Sequence, residues 1–182
     1  MSSPQIRRAD RIMPHDGALQ ALQRGFCCRV ATVGEDGHPY CTPLLYVLMD
    51  DEICLHNTSA PGHFRTNVER EPRVCFEIDE PGEVFDYGRF ECDSGLAYKS
   101  VIVFGRIRVV EQRDAKQRFC EALMAKYARP DTGRPKGFFP RIDAITVYAM
   151  TIERMTAKET ILPPLAEQWP AKDKTRTPHA RP

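Results

Sequence analysis

No C-x-x-C pair occurs in this chain of 182 residues, and its seven cysteines are odd in number, with Cys27 and Cys28 adjacent. The ordinary zinc spacings are therefore missing, and a disulfide framework does not fit. Cys41, Cys54 and Cys75 fall inside strand-like runs, where a free thiol behaves as a small buried hydrophobe; Cys92 falls in a loop and is expected to be exposed. No apolar run approaches the roughly 20 residues of a membrane helix. The N-terminus MSSPQIRRADRIM has no apolar signal core, so a cytoplasmic location is expected. A net charge of +1 gives no ground for nucleic acid or an anionic membrane as partner. Absent too are the G-x-S-x-G elbow, the Walker loop, H-E-x-x-H and a G-x-G-x-x-G turn after a strand. The five histidines are scattered, and nothing pairs a nucleophile with a base. If the chain is an enzyme, the hard chemistry belongs to a cofactor.

What is present is a succession of strands. The length suits one domain with a full hydrophobic core. Residues 1–15 read as an arm, 16–158 as the folded domain and 159–182 as a proline-rich tail. Asp16 and Gly25 bracket a short helix as N-cap and C′ residue. Strands are expected over 26–33 and 40–49, joined by the turn residues Gly34 to Pro39. Pro43 interrupts the second, and since proline cannot donate to a ladder it should lie at an edge or bulge. A third strand covers 52–56, a helix 62–71 ends before Pro72, and a strand over 73–79 puts Val74, Phe76 and Ile78 on one face. Pro81-Gly82 should break it, and 82–97 has no clear assignment. Residues 98–111 form the longest strand, with Arg106 and Arg108 alternating with Ile107 and Val109. Asp114 is expected to cap a helix with Gln117 at the capping-box position, its apolar face made by Phe119, Leu123 and Tyr127. Residues 144–153 form a last strand. Hairpin links dominate, without a βαβ rhythm, so the fold is expected to be mainly β, an antiparallel barrel with flanking helices.

One loop carries a chemical signal. His56-Asn57-Thr58-Ser59-Ala60-Pro61-Gly62 lies where a strand hands over to a helix. Hydroxyls, an amide and a glycine before a helix N-terminus suit a phosphate, because backbone N–H groups are unpaired there and the dipole favours an anion. Taken singly, Arg65 also reads as a solvated helix residue, His56 as a strand-end histidine and Ser100 as a hydroxyl satisfied within its strand. The loop 133–141, with Lys136, Phe138 and Phe139, reads equally as a lid or as a plug for the barrel end.

Several pieces in order resemble a known family. They are Arg8 to Met13, Ala31-Thr32-Val33-Gly34, Gly37-His38-Pro39-Tyr40, Thr42-Pro43-Leu44, the loop from His56 to Gly62, Asn67 with Arg70, Pro72-Arg73-Val74, and Tyr98-Lys99-Ser100-Val101-Ile102-Val103-Phe104-Gly105. Across roughly residues 7–127 the chain resembles the pyridoxamine 5′-phosphate oxidase-like FMN-binding split barrels, and within them the nitroimidazole reductase-type branch. The resemblance implies a homodimer with two FMN molecules at the subunit interface. The flavin phosphate would sit on His56, Asn57, Thr58, Ser59 and Gly62, with His63, Arg65 and Asn67 on the first helical turns. The flavin ring would lie along Thr42, Pro43 and Leu44, with Ser100 and Val101 on the other side. Relatives often carry lysine in this helix opening, where this chain has His63-Phe64-Arg65.

The implied activity is an NAD(P)H-dependent reductase of a small electron-poor or aromatic substrate, with no side-chain acid or base assigned. Two alternatives stay open. One is a non-catalytic flavin or haem binding or sensing protein, with haem held by His56 or His63. The other is an oxidase of a phosphorylated pyridoxine-type vitamer, for which the expected C-terminal motif is not evident.

Overall fold

The computed structural model describes residues 6–129 and 133–169. Helices α1 (His15–Arg24), α2 (His63–Arg70) and α3 (Arg113–Tyr127) accompany seven strands: β1 (Cys28–Val33), β2 (Pro39–Leu44), β3 (Tyr46–Met49), β4 (Glu52–Thr58), β5 (Arg73–Asp86), β6 (Ser94–Val110) and β7 (Ile145–Thr160). The strands form one antiparallel sheet in the order β2-β1-β5-β6-β7-β4-β3. The described residues fall into two compact units, one of 22–78 and 102–155, the other of 6–21, 79–101 and 156–169.

In the larger unit one link determines the architecture. β2 and β3 occupy the two ends of the sheet, yet Leu45 alone separates them. A chain advances at most about 3.6 Å per residue, so Leu44 and Tyr46 lie within about 7 Å of each other. The sheet must curl until its two edges meet at that point, and since β2 and β3 are not laddered together the curled sheet is split there. Backbone groups along such a seam need other partners. Tyr127 supplies them: its phenol oxygen accepts the Tyr46 N–H at 3.3 Å, and its one proton is shared between the carbonyls of Tyr46 and Phe26, each at 2.8 Å. The Cys28 thiol donates to Leu44 O at 3.2 Å, and the Tyr46 hydroxyl to Leu22 O at 2.6 Å.

Inside the curl lie Val30, Tyr46, Ile53, Leu55, Phe76, Val103, Tyr148 and Met150, all buried. Tyr46 meets Phe76 edge-on, with ring centroids 5.0 Å apart. Against the outer face α3 packs Phe119, Cys120 and Leu123 on Val47, Cys54, Val110, Val147 and Ala149, as its four-residue apolar spacing requires. Gly105 is obligatory where β6 passes β7, because a Cβ there would collide with the Thr151 carbonyl. β3 turns into β4 through Asp50 and Asp51, both in the left-handed region at φ 53° and 60°. This is the backbone a two-residue hairpin loop demands, here without the usual glycine. In the smaller unit, Ile12 bridges Lys158 and the Met13 N–H donates to Ala157 O.

Several sequence expectations need correction. Residues 40–49 are two strands rather than one, and the break falls at Leu45, not Pro43; Pro43 does lie on an edge strand. Pro81-Gly82 does not end β5, which continues to Asp86. Gly82 instead lets two strands close up, since a Cβ there would fall 2.9 Å from Ala97 O. The unassigned 82–97 segment is thus the β5–β6 hairpin. α1 begins at His15, ahead of Asp16. The N-cap of α3 is Gln112, and neither Asp114 nor Gln117 caps it; Gln117 donates to Glu121 and to Gly137 O. Cys41 is exposed, because the edge strand β2 is largely open, and Cys75 is half-buried, whereas Cys54 is buried and Cys92 is exposed as expected; all seven thiols are free. Residues 1–5 of the arm, 130–132 of the loop and 170–182 of the tail lie outside the described residues.

Beside the seam a charge is hidden. The Lys126 ammonium lies 3.8 Å from the centroid of the Tyr46 ring and finds no hydrogen-bond acceptor. Burial lowers its pKa to about 8. The ring face returns only about 1–2 kcal/mol to a buried cation, less than the desolvation cost that produces such a shift. The unfolded chain therefore holds this proton more tightly than the fold. Stability should rise as pH increases from about 8 to about 9; there the thiols of Cys28 and Cys54, held protonated in the fold by burial, begin to ionise in the unfolded chain and oppose further gain. Lys126→Met should unfold at higher urea than the parent at pH 7, by about 1 kcal/mol or more, and should lose the pH slope above 8. Equal stability of the two proteins at pH 7 would contradict this.

Candidate functional site

The handover from β4 to α2 is built as an open helix start. β4 ends at Thr58; Thr58, Ser59, Ala60, Pro61 and Gly62 are all exposed. The Ser59 N–H is tied to Ala144 O at 3.1 Å, which fixes the loop on the side of β7. Gly62 is the N-cap of α2 with extended backbone and no side chain to cap it, and no acid stands in the first turn. The first helical N–H groups are therefore left for a ligand or for water.

Arg65, the third residue of α2, reaches back over this opening. Its Nε donates to Glu69 Oε1 at 2.7 Å, and its Nη1 lies 3.5 Å from Ser59 O and 3.4 Å from Thr146 Oγ1. The Glu69 carboxylate raises the guanidinium pKa further, so the charge is permanent. Asn57, on β4 opposite Thr146, accepts a hydrogen bond at Oδ1 from the Tyr148 hydroxyl at 3.1 Å. Its amide nitrogen is left for other partners. His56, on the opposite face of β4, packs its ring on Phe119 with centroids 5.5 Å apart, and its Nδ1 is buried without a partner. Burial lowers its pKa and holds the imidazole neutral.

The rest of α2 serves to dock the helix. Asn67 is buried and donates from Nδ2 to Thr32 Oγ1 at 3.0 Å, while the Thr32 hydroxyl donates to Tyr40 O. Its amide thus faces β1 rather than the loop. Arg70 clasps the carbonyls of Val33 and Gly34, both at 2.5 Å. His63 stands at the exposed start of the helix with its ring 5.6 Å from that of Tyr40. Tyr40 lies two residues before Thr42 on β2, so β2 and the helix opening are neighbours. On β2, Thr42 Oγ1 is buried and unpartnered, Pro43 is exposed opposite Arg29, and Leu44 is half-buried. Ser100 and Val101 lie on β6 in the smaller unit, Ser100 half-buried and Val101 fully buried.

The structure therefore gathers Asn57, Thr58, Ser59, Gly62 and Arg65 at one opening, with His63 and the strand Thr42–Leu44 nearby; His56 turns to the other side of β4. Thr146 and Tyr148, which underlie the opening, gave no sequence signal beyond membership of a strand. A separate cleft of about 480 Å³ lies between the start of α3 and the β3–β4 turn. No predicted site residue lines it, and its arginines are already paired, Arg108 with Glu52 and Arg118 with Asp50. The helix opening is therefore the candidate site. Among the described residues no His, Cys, Asp and Glu cluster suits a metal ion, and no helix is long and apolar enough to cross a membrane.

A curled, split antiparallel sheet flanked by helices defines a split barrel. The chain belongs to the pyridoxamine 5′-phosphate oxidase family, whose model matches residues 14–159. Among solved structures it is similar to the flavocytochrome Anf3 from Azotobacter vinelandii, at 17% identity and TM-score 0.75, covering 97% of this chain and 79% of that one. It is also similar to a FAD and haem binding protein from Mycobacterium smegmatis (21% identity, TM-score 0.69, covering 81% and 71%). A third is a putative 5-nitroimidazole antibiotic resistance protein from Bacteroides thetaiotaomicron (18% identity, TM-score 0.67, covering 81% and 85%). At these identities the likeness is one of fold. No curated protein sequence matches significantly.

Two outcomes follow. Asn67→Ala should lower stability by about 1–3 kcal/mol, because it empties a buried hydrogen-bonded position; urea melts that superimpose on the parent would refute the docking role. In an NMR pH titration the His56 ring protons should show a midpoint below the ordinary 6.5. A midpoint at or above that value would mean the ring is not buried as described.

Proposed function

We propose that the chain is a homodimeric FMN flavoprotein that reduces small electron-poor or aromatic acceptors with electrons from NAD(P)H. The observation that carries this reading is the uncapped start of α2, with Arg65 folded back over it, in a chain of this family. The residues present fit the group. Backbone N–H groups of the first turn, the Arg65 guanidinium, the Asn57 amide and the hydroxyls of Thr58 and Ser59 are donors suited to a phosphate. Thr42 offers a buried hydroxyl without a partner on the strand that would run beside the ring.

Bound FMN would supply two-electron transfer between a nicotinamide and the acceptor. The protein's part is binding and orientation. Where relatives often carry a lysine in this helix opening, Arg65 offers a planar fork, which favours bidentate pairing over a point charge. Pro43 presents no N–H and is exposed, so this stretch of edge strand is open to a flat ligand. A haem-binding reading draws on one observation: burial keeps His56 neutral, the form in which imidazole ligates iron.

An absorbance spectrum decides between them. The purified protein, as isolated and after addition of FMN, should show two flavin bands that bleach under anaerobic NAD(P)H. A sharp Soret band on adding haemin, with no FMN bound, would replace the flavin reading by the haem one. Binding of FMN without bleaching would leave a flavin-binding protein that is not an NAD(P)H-dependent reductase.

A further inference from the structure

Two contacts hold the side chains beneath the helix opening. Arg65 Nη1 lies 3.4 Å from Thr146 Oγ1, and the Tyr148 hydroxyl donates to Asn57 Oδ1 at 3.1 Å. Thr146 and Tyr148 are buried, at 4% and 0% exposure, so water does not compete for these bonds. With its oxygen held inward by Tyr148, Asn57 has its N–H groups left to offer a ligand.

The Tyr148 ring does a second thing. It meets Phe64, the second residue of α2, edge-on at 5.2 Å and 88° between ring planes, and Phe64 is itself buried. β7 pairs with β4 through Tyr148↔Leu55 and Thr146↔Asn57. One tyrosine thus touches both halves of the opening, the end of the strand and the start of the helix.

We propose that Tyr148 is a positioning residue for the phosphate of the bound flavin, fixing Asn57 as a donor and the first turn of α2 against it. Thr146 extends the same hold to Arg65. The inference rests on the flavin reading above and gives it a specificity: the opening presents donors, so it selects a phosphate monoester over the same molecule without its phosphate.

The test compares two ligands in two variants of the full-length protein, by fluorescence titration with FMN and with riboflavin, which lacks the phosphate. Tyr148→Phe keeps the ring against Phe64 and removes the proton held by Asn57. Thr146→Val keeps the volume and removes the oxygen that Arg65 Nη1 contacts. Each should weaken FMN binding by about 10-fold while leaving riboflavin affinity within 2-fold, about the effect of one charge-assisted hydrogen bond. In ³¹P spectra of bound FMN, the pH at which the phosphate dianion becomes the monoanion should rise in both variants. A merely structural tyrosine would weaken both flavins alike and leave the ³¹P titration unmoved. Either that pattern or unchanged FMN affinity overturns the proposal. If the parent protein itself binds FMN no more tightly than riboflavin, the phosphate seat is wrong, and this inference falls with it.

Discussion

The single residue between β2 and β3 is the constraint on which the larger unit depends. A sheet whose edge strands are consecutive in sequence, one residue apart, has no open form available to it. Curling in turn leaves a seam where two strand ends meet without a ladder, and backbone groups there must be satisfied by side chains. Tyr127 does this for Tyr46 from α3, which explains why the long helix lies where it does as well as what it covers. Its apolar face would pack on the sheet at several registers; the phenol bonds select one. The hidden ammonium of Lys126, next to Tyr127 in sequence, is a consequence of the same docking.

The candidate site is marked by local rules that α2 breaks. A helix of this length ordinarily gains from a capping side chain and from acids in its first turn. α2 begins on glycine, has no acid there, and carries an arginine at its third position. Arginine against the positive end of a helix dipole is unfavourable, and Glu69 one turn on only partly compensates, as an exposed pair contributes little. A segment that forgoes both kinds of stabilisation and adds a cation would gain from an anion placed there. That physical argument is independent of the family match and points to the same place.

Much of this was legible from residues alone, and the failures have specific causes. The faces of β5 and β6 followed from alternation, as Val74, Phe76 and Ile78 are buried while Arg106 and Arg108 are exposed. The face of α3 followed from four-residue spacing. Pro43 was correctly read as an edge residue but wrongly taken as the interruption, because a break at Leu45 has no turn chemistry to announce it. Pro81-Gly82 looked like a stop because both residues usually are one; what they meet across the hairpin, a backbone carbonyl at close range, is invisible in sequence. Cys41 looked buried by its strand-like setting, and only the sheet order shows that the strand is an edge. Thr146 and Tyr148 could not be nominated, since a hydroxyl in a strand signals nothing until its neighbour across the ladder is known.

The two polar faces of α2 explain why the opening can be rigid while its donors stay free. His63, Asn67 and Arg70, spaced as one side of a helix, turn towards β1 and β2: His63 against the Tyr40 ring, Asn67 to Thr32, Arg70 to the carbonyls of Val33 and Gly34. Arg65 and Glu69, also one turn apart, turn towards the loop and β7. Phe64 and Val68 fill the space beneath. A helix of eight residues is too short to be stable by itself, so its position must come from these contacts. On the first face Asn67 and Arg70 bond the protein, which holds the helix start in register with the end of β4. The second can then keep a guanidinium and, through Tyr148, an amide turned outward without the helix shifting to satisfy them. Division of labour between the faces, rather than any one residue, is what allows unpaired donors to persist at a helix start that would otherwise cap itself.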